Sequence, residues 1–172
     1  MSKMSAKKKE PVTIREADEA DAFEVRNVIN SVAAEKYYLV PEDSREDWRE
    51  TIKEIKKRKG IIIVAQVKDK IVGMAYLARG KFEKNKHVAS LGITILKSYR
   101  RMGIGTAMMN HLLEWSKKQE GLEKITLEVF STNKPAINLY RKLGFEIEGI
   151  RKRQYKTRNE YVDEITMAKF LN

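Results

Sequence analysis

Residues 91–106, LGITILKSYRRMGIGT, constrain the fold of this chain most, because two different periodicities meet there. Over residues 91–95 apolar residues alternate with glycine and threonine, which predicts a half-buried strand. The apolar residues that follow recur at helical spacing: Ile104, Met108, Leu112 and Trp115. A strand must therefore turn into a helix near Gly103.

The start of this helix has the properties of an anion-binding site. The first four N–H groups of a helix have no partner within it, and the aligned peptide dipoles place about half a positive charge at that end. Gly103 and Gly105 have no Cβ, so a diphosphate can approach the main chain closely. Arg100 and Arg101 add positive charge. The segment predicts either a site for a phosphorylated ligand or a tight turn with both arginines in water.

Several functional classes are disfavoured by what the sequence lacks. It contains neither a G-x-x-x-x-G-K-[ST] run nor a G-x-G-x-x-G run that opens a βαβ unit, so neither a nucleoside triphosphatase nor a dinucleotide-binding fold is indicated. There is no cysteine, and His87 and His111 show no paired ligand spacing, so we expect no metal site. No apolar run approaches the ~18 residues of a membrane span.

A second strand and helix follow the first pair. Alternating apolar residues over 125–130 predict the strand. Asn133 is a good N-cap and Pro135 is tolerated in a first turn, so we expect a helix to begin there. Gly144 is expected to end that helix, before a new apolar run begins at Phe145.

The remaining segments complete a predicted order of β-α-α-β-β-β-α-β-α-β-β. We predict strands at residues 12–16, 61–67 and 71–78, a helix at 20–34 with Phe23, Val28 and Val32 apolar, a second helix from a Ser44 cap to about residue 58, and a terminal hairpin. Residues 1–10 carry four lysines against one glutamate and are expected to be a flexible basic tail, not a secretory signal. Residues 11–172 are expected to form a single domain.

The two strand-helix segments resemble the motifs of the GNAT superfamily of acetyl-coenzyme A-dependent N-acetyltransferases. Residues 100–105, RRMGIG, are similar to its R/Q-x-x-G-x-G/A signature. Residues 127–145, LEVFSTNKPAINLYRKLGF, are similar to its L-E-V…N-x-x-A-I-x-L-Y-x-x-x-G-F block. The likeness is closest to ribosomal-protein Nα-acetyltransferases and to prokaryotic broad-specificity amino-acid or small-amine acetyltransferases. It implies an α/β (α+β) fold with a GNAT-like mixed, mostly antiparallel central sheet of about seven strands flanked by about four helices.

The resemblance also implies how the chain binds acetyl-CoA. The strand around residues 93–95 is expected to separate from its neighbour and to pair its main chain with the pantetheine arm, while the glycine turn binds the pyrophosphate. The residues to which the resemblance assigns coenzyme binding are Ile93, Thr94, Ile95, Arg100, Arg101, Met102, Gly103, Ile104, Gly105, Thr106 and Asn133.

Two catalytic residues follow from the resemblance. Tyr140 matches a tyrosine near the coenzyme sulfur and is expected to be the general acid, because tyrosine titrates at about 10; the alternative is a core aromatic with a satisfied hydroxyl. Glu128, twelve residues earlier, matches the proposed base of ribosomal-protein acetyltransferases; the alternatives are a surface glutamate and an ordered water as base. Because the chain has no cysteine, an acetyl-cysteine intermediate is excluded, and we expect direct attack of the amine in a ternary complex.

The net charge of +11, from 35 basic and 24 acidic residues, is compatible with two kinds of partner. A basic nucleic-acid-binding module, or a CoA-sensing module without catalysis, is the alternative to an enzyme. The basic residues are scattered along the chain, which disfavours nucleic acid and favours attraction of a polyanionic coenzyme. We therefore expect a cytoplasmic N-acetyltransferase with no membrane partner, and a homodimer is compatible with the sequence.

The acceptor of the acetyl group stays open at the level of sequence. The resemblance places it between residues 35–41 and the hairpin loop at 155–159. There Glu35, Glu42 or Asp163 either attracts a cationic amine or is plain loop surface. A protein N-terminus, a protein lysine, and a free amino acid or small amine are all compatible acceptors.

Overall fold

Seven strands and four α-helices make up the described part of the chain, in the predicted order. The computed structural model describes residues 10–35, 47–157 and 160–171. The elements are β1 (Val12–Glu16), α1 (Ala22–Ala33), α2 (Trp48–Lys57), β2 (Ile61–Val67), β3 (Lys70–Arg79), β4 (Val88–Ile95), α3 (Ile104–Ser116), β5 (Lys124–Phe130), α4 (Lys134–Lys142), β6 (Glu146–Lys156) and β7 (Tyr161–Phe170). The predicted mixed sheet flanked by four helices is confirmed.

The sheet opens in its middle, between β4 and β5. Its strand order is β1-β2-β3-β4-β5-β7-β6, and only β4 and β5 are parallel neighbours. These two strands pair over just three residues each, 88–90 against 124–126. β4 then runs on to Ile95 and β5 to Phe130 without pairing to each other. The predicted separation of residues 93–95 from the neighbouring strand is therefore confirmed.

Helices cover both faces of the sheet and hold this opening in place. One face packs on α3 and α4, and the fully buried side chains between them include Met108 and Leu112 of α3 and Ile125 of β5. The other face packs on α1 and α2 through a second cluster that includes Val25, Ile62 and Met74. β2 is buried at six of its seven positions because it is covered on both sides, which explains its nearly continuous apolar sequence.

The first helix begins later than predicted, and Phe23 lies outside its buried face. α1 starts at Ala22, after a short 3-10 turn capped by Asp18. Phe23 is 68% exposed and does not belong to the buried face, because it lies two residues, about 200° of helical rotation, before the first buried side chain. The buried residues recur at helical spacing: Val25, Val28, Ile29 and Val32.

The cap of the second helix lies closer to the helix than predicted. The Asp47 side chain accepts a hydrogen bond from the N–H of Arg49 at 3.0 Å, so Asp47 is the N-cap of α2. Ser44, the predicted cap, lies outside the described residues, as do residues 1–9 of the predicted tail. No helix within the described ranges is both long and apolar enough to cross a membrane.

Candidate active site

A cleft of about 680 Å³ occupies the opening between β4 and β5 and brings the two sequence motifs together. The predicted coenzyme residues on its wall are Ile93, Thr94, Ile95, Arg100, Arg101, Gly103, Gly105, Thr106 and Asn133. Both predicted catalytic residues, Glu128 and Tyr140, also line it. Met102 and Ile104 do not: the Met102 side chain is half exposed, and Ile104 is buried in the core.

The turn before α3 presents main-chain donors that have no acceptor. Gly103 is the N-cap of α3 and has a φ of +83°, a left-handed conformation that favours glycine. A Cβ at this position would meet nothing within 4 Å, so the space above the turn is open. The first helical bond runs from Ala107 N–H to the Gly103 carbonyl at 3.0 Å. Within the described ranges, the N–H groups of residues 101–106 donate to no protein atom, as the predicted anion site requires.

Arg100 has a structural contact that the sequence did not indicate. Its Nη1 and Nη2 atoms each donate to a Glu35 carboxylate oxygen at 2.7 Å, and its Nε donates to the Ile95 carbonyl at 2.9 Å. Arg100 thus ties the turn to the end of β4 and to the second residue beyond α1. The hydrogen bonds from Arg100 lower the pKa of Glu35, although partial burial opposes that shift.

Asp163, which was also predicted near the acceptor, is paired with residues of β6. Asp163 accepts hydrogen bonds from Lys152 Nζ at 2.9 Å and from the Arg153 N–H at 2.8 Å. Glu42 and residues 36–41 lie outside the described ranges, as do residues 158–159 of the hairpin loop. Both described carboxylates are therefore already paired with cations.

The edge of β4 that faces the opening carries main-chain groups suited to an extended ligand. The N–H of Leu96, just after the strand, donates to the Val72 carbonyl on the β3 side. In an antiparallel ladder the hydrogen-bonding direction alternates, so the main chains of Ile93 and Ile95 face the gap. The Ile95 carbonyl already accepts from Arg100, and the pairing of β4 with β5 ends at Ser90, so the main chain of Ile93 is open to pairing with an extended ligand.

Tyr140 is buried, yet its hydroxyl is not sealed in the core. The side chain is 6% exposed and its ring packs against Phe145, with the ring centroids 6.0 Å apart. In the described part of the chain the hydroxyl makes no hydrogen bond, and it is not among atoms that are both buried and unpaired, so it reaches the cleft. Burial raises the pKa of Tyr140 above its usual value, so the phenol keeps its proton at neutral pH.

Glu128 lies on the sheet face of the same cleft, paired with an arginine. It sits on β5 opposite Thr166 of β7, and its side chain is about half exposed. Arg151 of β6 donates from Nη2 to the Glu128 carboxylate at 2.9 Å. The Glu128 carboxylate therefore stands at the cleft and has a fixed neighbour, a hydrogen-bonded guanidinium.

The comparison with protein families agrees with this geometry. Residues 25–145 match the model of the acetyltransferase (GNAT) family. The chain belongs to the GNAT family. This GNAT protein is an acyltransferase, an N-acetyltransferase that depends on acetyl-CoA.

Individual relatives resemble this GNAT enzyme over different shares of their length. It is 32% identical over 162 residues to the L-amino acid N-acetyltransferase AaaT of Escherichia coli (strain K12), covering 92% of this chain and 97% of the relative. It is 36% identical over 105 residues to an N-alpha-acetyltransferase of Sulfurisphaera tokodaii, covering 55% of this chain and 62% of the relative. A GNAT-family acetyltransferase structure from Streptococcus pneumoniae has a TM-score of 0.85 and 26% identity, with 93% of this chain and 99% of that chain covered.

The cleft of this GNAT enzyme fits the shape and charge of acetyl-CoA, which supplies an activated acetyl thioester when bound. The separated strands leave an extended slot, and the open space above Gly103 adjoins six consecutive main-chain N–H groups without acceptors in the described chain. Such donors at a helix start bind phosphate oxygens. The side-chain oxygen of Asn133 already accepts a hydrogen bond from the Ala136 N–H at 3.3 Å, and it thereby caps α4.

Sequence reasoning missed Arg151 and Glu164 as residues of the site. Glu164 is fully buried, and Arg151 joins it to Glu128. The sequence offered a weak signal, since Glu164 alternates along the strand with Val162 and Thr166; the structure shows these two residues wholly or partly buried. That pattern identifies an inward-facing acid but not its partner on another strand.

Proposed function

We propose that this enzyme transfers the acetyl group of acetyl-CoA to the α-amino group of a free L-amino acid, with Tyr140 as general acid and Glu128 as general base. The observation that carries the proposal is that both side chains line one cleft, at the point where β4 and β5 separate. The relative named as an L-amino acid N-acetyltransferase aligns over 97% of its length, whereas the N-alpha-acetyltransferase aligns over 62%. That difference supports a free amino acid as the acceptor.

The coenzyme is proposed to bind along the opening between the strands. The N–H groups of residues 101–106 would hold the diphosphate, because they have no acceptor in the described chain and lie at a helix start. The main chain of Ile93 would pair with the pantetheine arm. Arg100 would contribute indirectly, by fixing the turn through Glu35 and Ile95.

Tyr140 is suited to protonating the departing thiolate. Its pKa is raised by burial, so it arrives at the reaction protonated, and its hydroxyl has no competing partner among the described residues. A positioned acid of this kind contributes about 10²–10⁴-fold to a rate. Tyr140 can therefore supply the proton without first breaking a hydrogen bond.

Glu128 is suited to removing a proton from the incoming ammonium group. The carboxylate is half exposed at the cleft and therefore reachable from solvent by a small acceptor. The chain has no cysteine, so the neutral amine is proposed to attack the thioester directly. A cytoplasmic location is proposed as well, because that compartment supplies both acetyl-CoA and amino acids.

The acceptor's side chain is proposed to be apolar. The walls of the cleft that come from α1, α2 and β3 are lined by Ile29, Val32, Trp48, Met74 and Tyr76. An apolar side chain placed there gains about 25 cal/mol for each Å² removed from water. Leucine, methionine and phenylalanine are thus better candidates than charged amino acids.

A thiol-release assay over four acceptor classes tests the proposal. The panel contains L-amino acids, the corresponding amino acid amides, peptides with a free N-terminus, and polyamines. We expect release of CoA with apolar L-amino acids, and an increase of the melting temperature on adding acetyl-CoA, since a ligand that binds only the native state stabilises it. Release of CoA with peptides but not with amino acids would indicate that the acceptor is a protein N-terminus. If no acceptor gives release of CoA and acetyl-CoA does not raise the melting temperature, the proposal is contradicted.

A further inference from the structure

Glu164 is a carboxylate with no exposure to solvent. Both of its oxygens are engaged: Arg151 Nε donates to Oε1 at 2.6 Å, and the Tyr155 hydroxyl donates to Oε2 at 2.8 Å. Burial of an ionised carboxylate is unfavourable unless a cation and hydrogen bonds compensate it. The local structure of β6 and β7 therefore supplies Glu164 with one cation and one neutral donor.

Arg151 is shared between this buried carboxylate and the candidate base. Its Nη2 atom contacts Glu164 and also donates to Glu128 at 2.9 Å. The Arg151 and Glu128 side chains are 53% and 51% exposed, whereas Glu164 is 0% exposed. One guanidinium thus links a carboxylate at the cleft to a carboxylate inside the protein.

This shared guanidinium bears on two requirements of a general base, namely a fixed position and the ability to accept a proton. A guanidinium fixes a carboxylate in place, but its charge also makes the carboxylate a poorer proton acceptor. A second carboxylate on the same guanidinium offsets that charge while keeping the hydrogen bond. The geometry around Arg151 has this form, with Glu164 as the offsetting group.

Two sets of charged and titratable groups bear on Glu128: its neighbours on β6 and β7, and the other charged residues that line the cleft. Arg151 comes from β6 and Glu164 from β7, and the Tyr155 phenol of β6 adjoins both. Burial and the hydrogen bond to Glu164 raise the pKa of Tyr155 to about 12, so it remains a neutral donor. The other charged residues that line the cleft are Arg100 and Arg101, which belong to the turn before α3, and Arg100 is paired with Glu35.

We infer that Glu164 is a positioning residue for acetyl transfer: it orients Arg151 and offsets its charge, so that Arg151 holds Glu128 at the cleft as a competent base. The inference rests on the proposed role of Glu128. Glu164 itself is buried away from solvent and acts only through Arg151.

The test is a ¹³C NMR titration of the Glu128 carboxyl in glutamate-labelled protein, with the resonance assigned by its loss in Glu128→Gln. In Glu164→Gln the charge of Arg151 is no longer offset, so the Glu128 titration should move to lower pH than in the wild type. In Arg151→Gln the stabilising cation is lost, so the Glu128 titration should move to higher pH than in the wild type. Glu164→Asp keeps the charge and should stay near the wild-type value.

The two substitutions thus predict shifts of opposite sign, which a merely structural role would not produce. Unchanged titration, or shifts of the same sign, would overturn the inference. If Glu164→Gln does not fold, Arg151→Gln and Glu164→Asp decide alone: a rise in the first and none in the second support the inference, and any other result overturns it. The role of Glu128 as base is tested separately, by the turnover of Glu128→Gln, because the NMR titrations do not depend on catalysis.

Discussion

The Arg100 guanidinium donates to both carboxylate oxygens of Glu35, with two distances of 2.7 Å. The pair joins the turn before α3 to the second residue beyond α1, and both side chains are largely shielded from solvent, at 21% and 22% exposure. The turn that presents the main-chain donors is therefore held in place by Glu35, a residue distant in sequence.

Replacing Glu35 with Gln should lower the free energy of unfolding by about 1 kcal/mol near neutral pH, because a bidentate, partly buried pair is lost. Arg100 holds the pKa of Glu35 below its usual value, so this stability is present above the unfolded-state pKa and is lost as pH falls through the lower folded-state pKa. Urea unfolding at about pH 7 and about pH 3 should show the two proteins converging in acid. Glu54→Gln, at an exposed helix position, is the control; an equal difference at both pH values would contradict the role of the pair.

Gly103→Ala should weaken acetyl-CoA binding, because its new methyl group occupies the open space above the donors. The substitution should also cost about 1–2 kcal/mol of stability, since φ is +83°. Gly121→Ala is a matched control: Gly121 has a φ of +69° and lies away from the residues that line the cleft. Calorimetric titration should give a lower affinity for Gly103→Ala only. Equal affinities in the two variants would mean that the turn does not bind the diphosphate.

Tyr140→Phe should lower turnover by about 10²-fold or more while leaving acetyl-CoA affinity unchanged. Its hydroxyl makes no hydrogen bond to the described residues, so its removal leaves no orphaned partner and the melting temperature should hold. Tyr161→Phe, at a 56% exposed position on β7, serves as the control and should keep wild-type turnover. Steady-state kinetics would measure the turnover of both variants, and calorimetry would measure their affinity for acetyl-CoA. A fully active Tyr140→Phe enzyme would exclude the role of Tyr140 as general acid.

Gly92→Ala should destabilise the protein by forcing the Tyr76 ring aside. A Cβ on Gly92 would lie 2.4–2.7 Å from three atoms of the Tyr76 side chain, closer than side chains tolerate. Combining Gly92→Ala with Tyr76→Ala should remove the clash, so that the double variant is more stable than the sum of the single effects predicts. A double-mutant cycle on free energies of unfolding measures this coupling, and additive effects would show that the ring has room to move.

Much of the fold follows from local sequence. The periodicity of residues 91–95 and the helical spacing after Ile104 predicted β4 and α3 correctly, because strand and helix periods are set by neighbouring residues. Asn133 was correctly predicted as the cap of α4 for the same reason. The start of α1 was predicted two residues early, because a 3-10 turn capped by Asp18 precedes the helix. Phe23 was wrongly grouped with Val28 and Val32, because it lies outside the helical spacing of the buried residues.

The sequence by itself determined the order of elements, the glycine turn with its free amides, and the resemblance that identified both motifs. Tertiary structure alone decided that Arg100 pairs with Glu35, 65 positions away, and that Arg151 joins Glu128 to Glu164. The contacts of Arg151 depend on strand order, since β7 lies between β5 and β6. Periodicity records which side of an element is buried, but it carries no information about which distant element will cover that side.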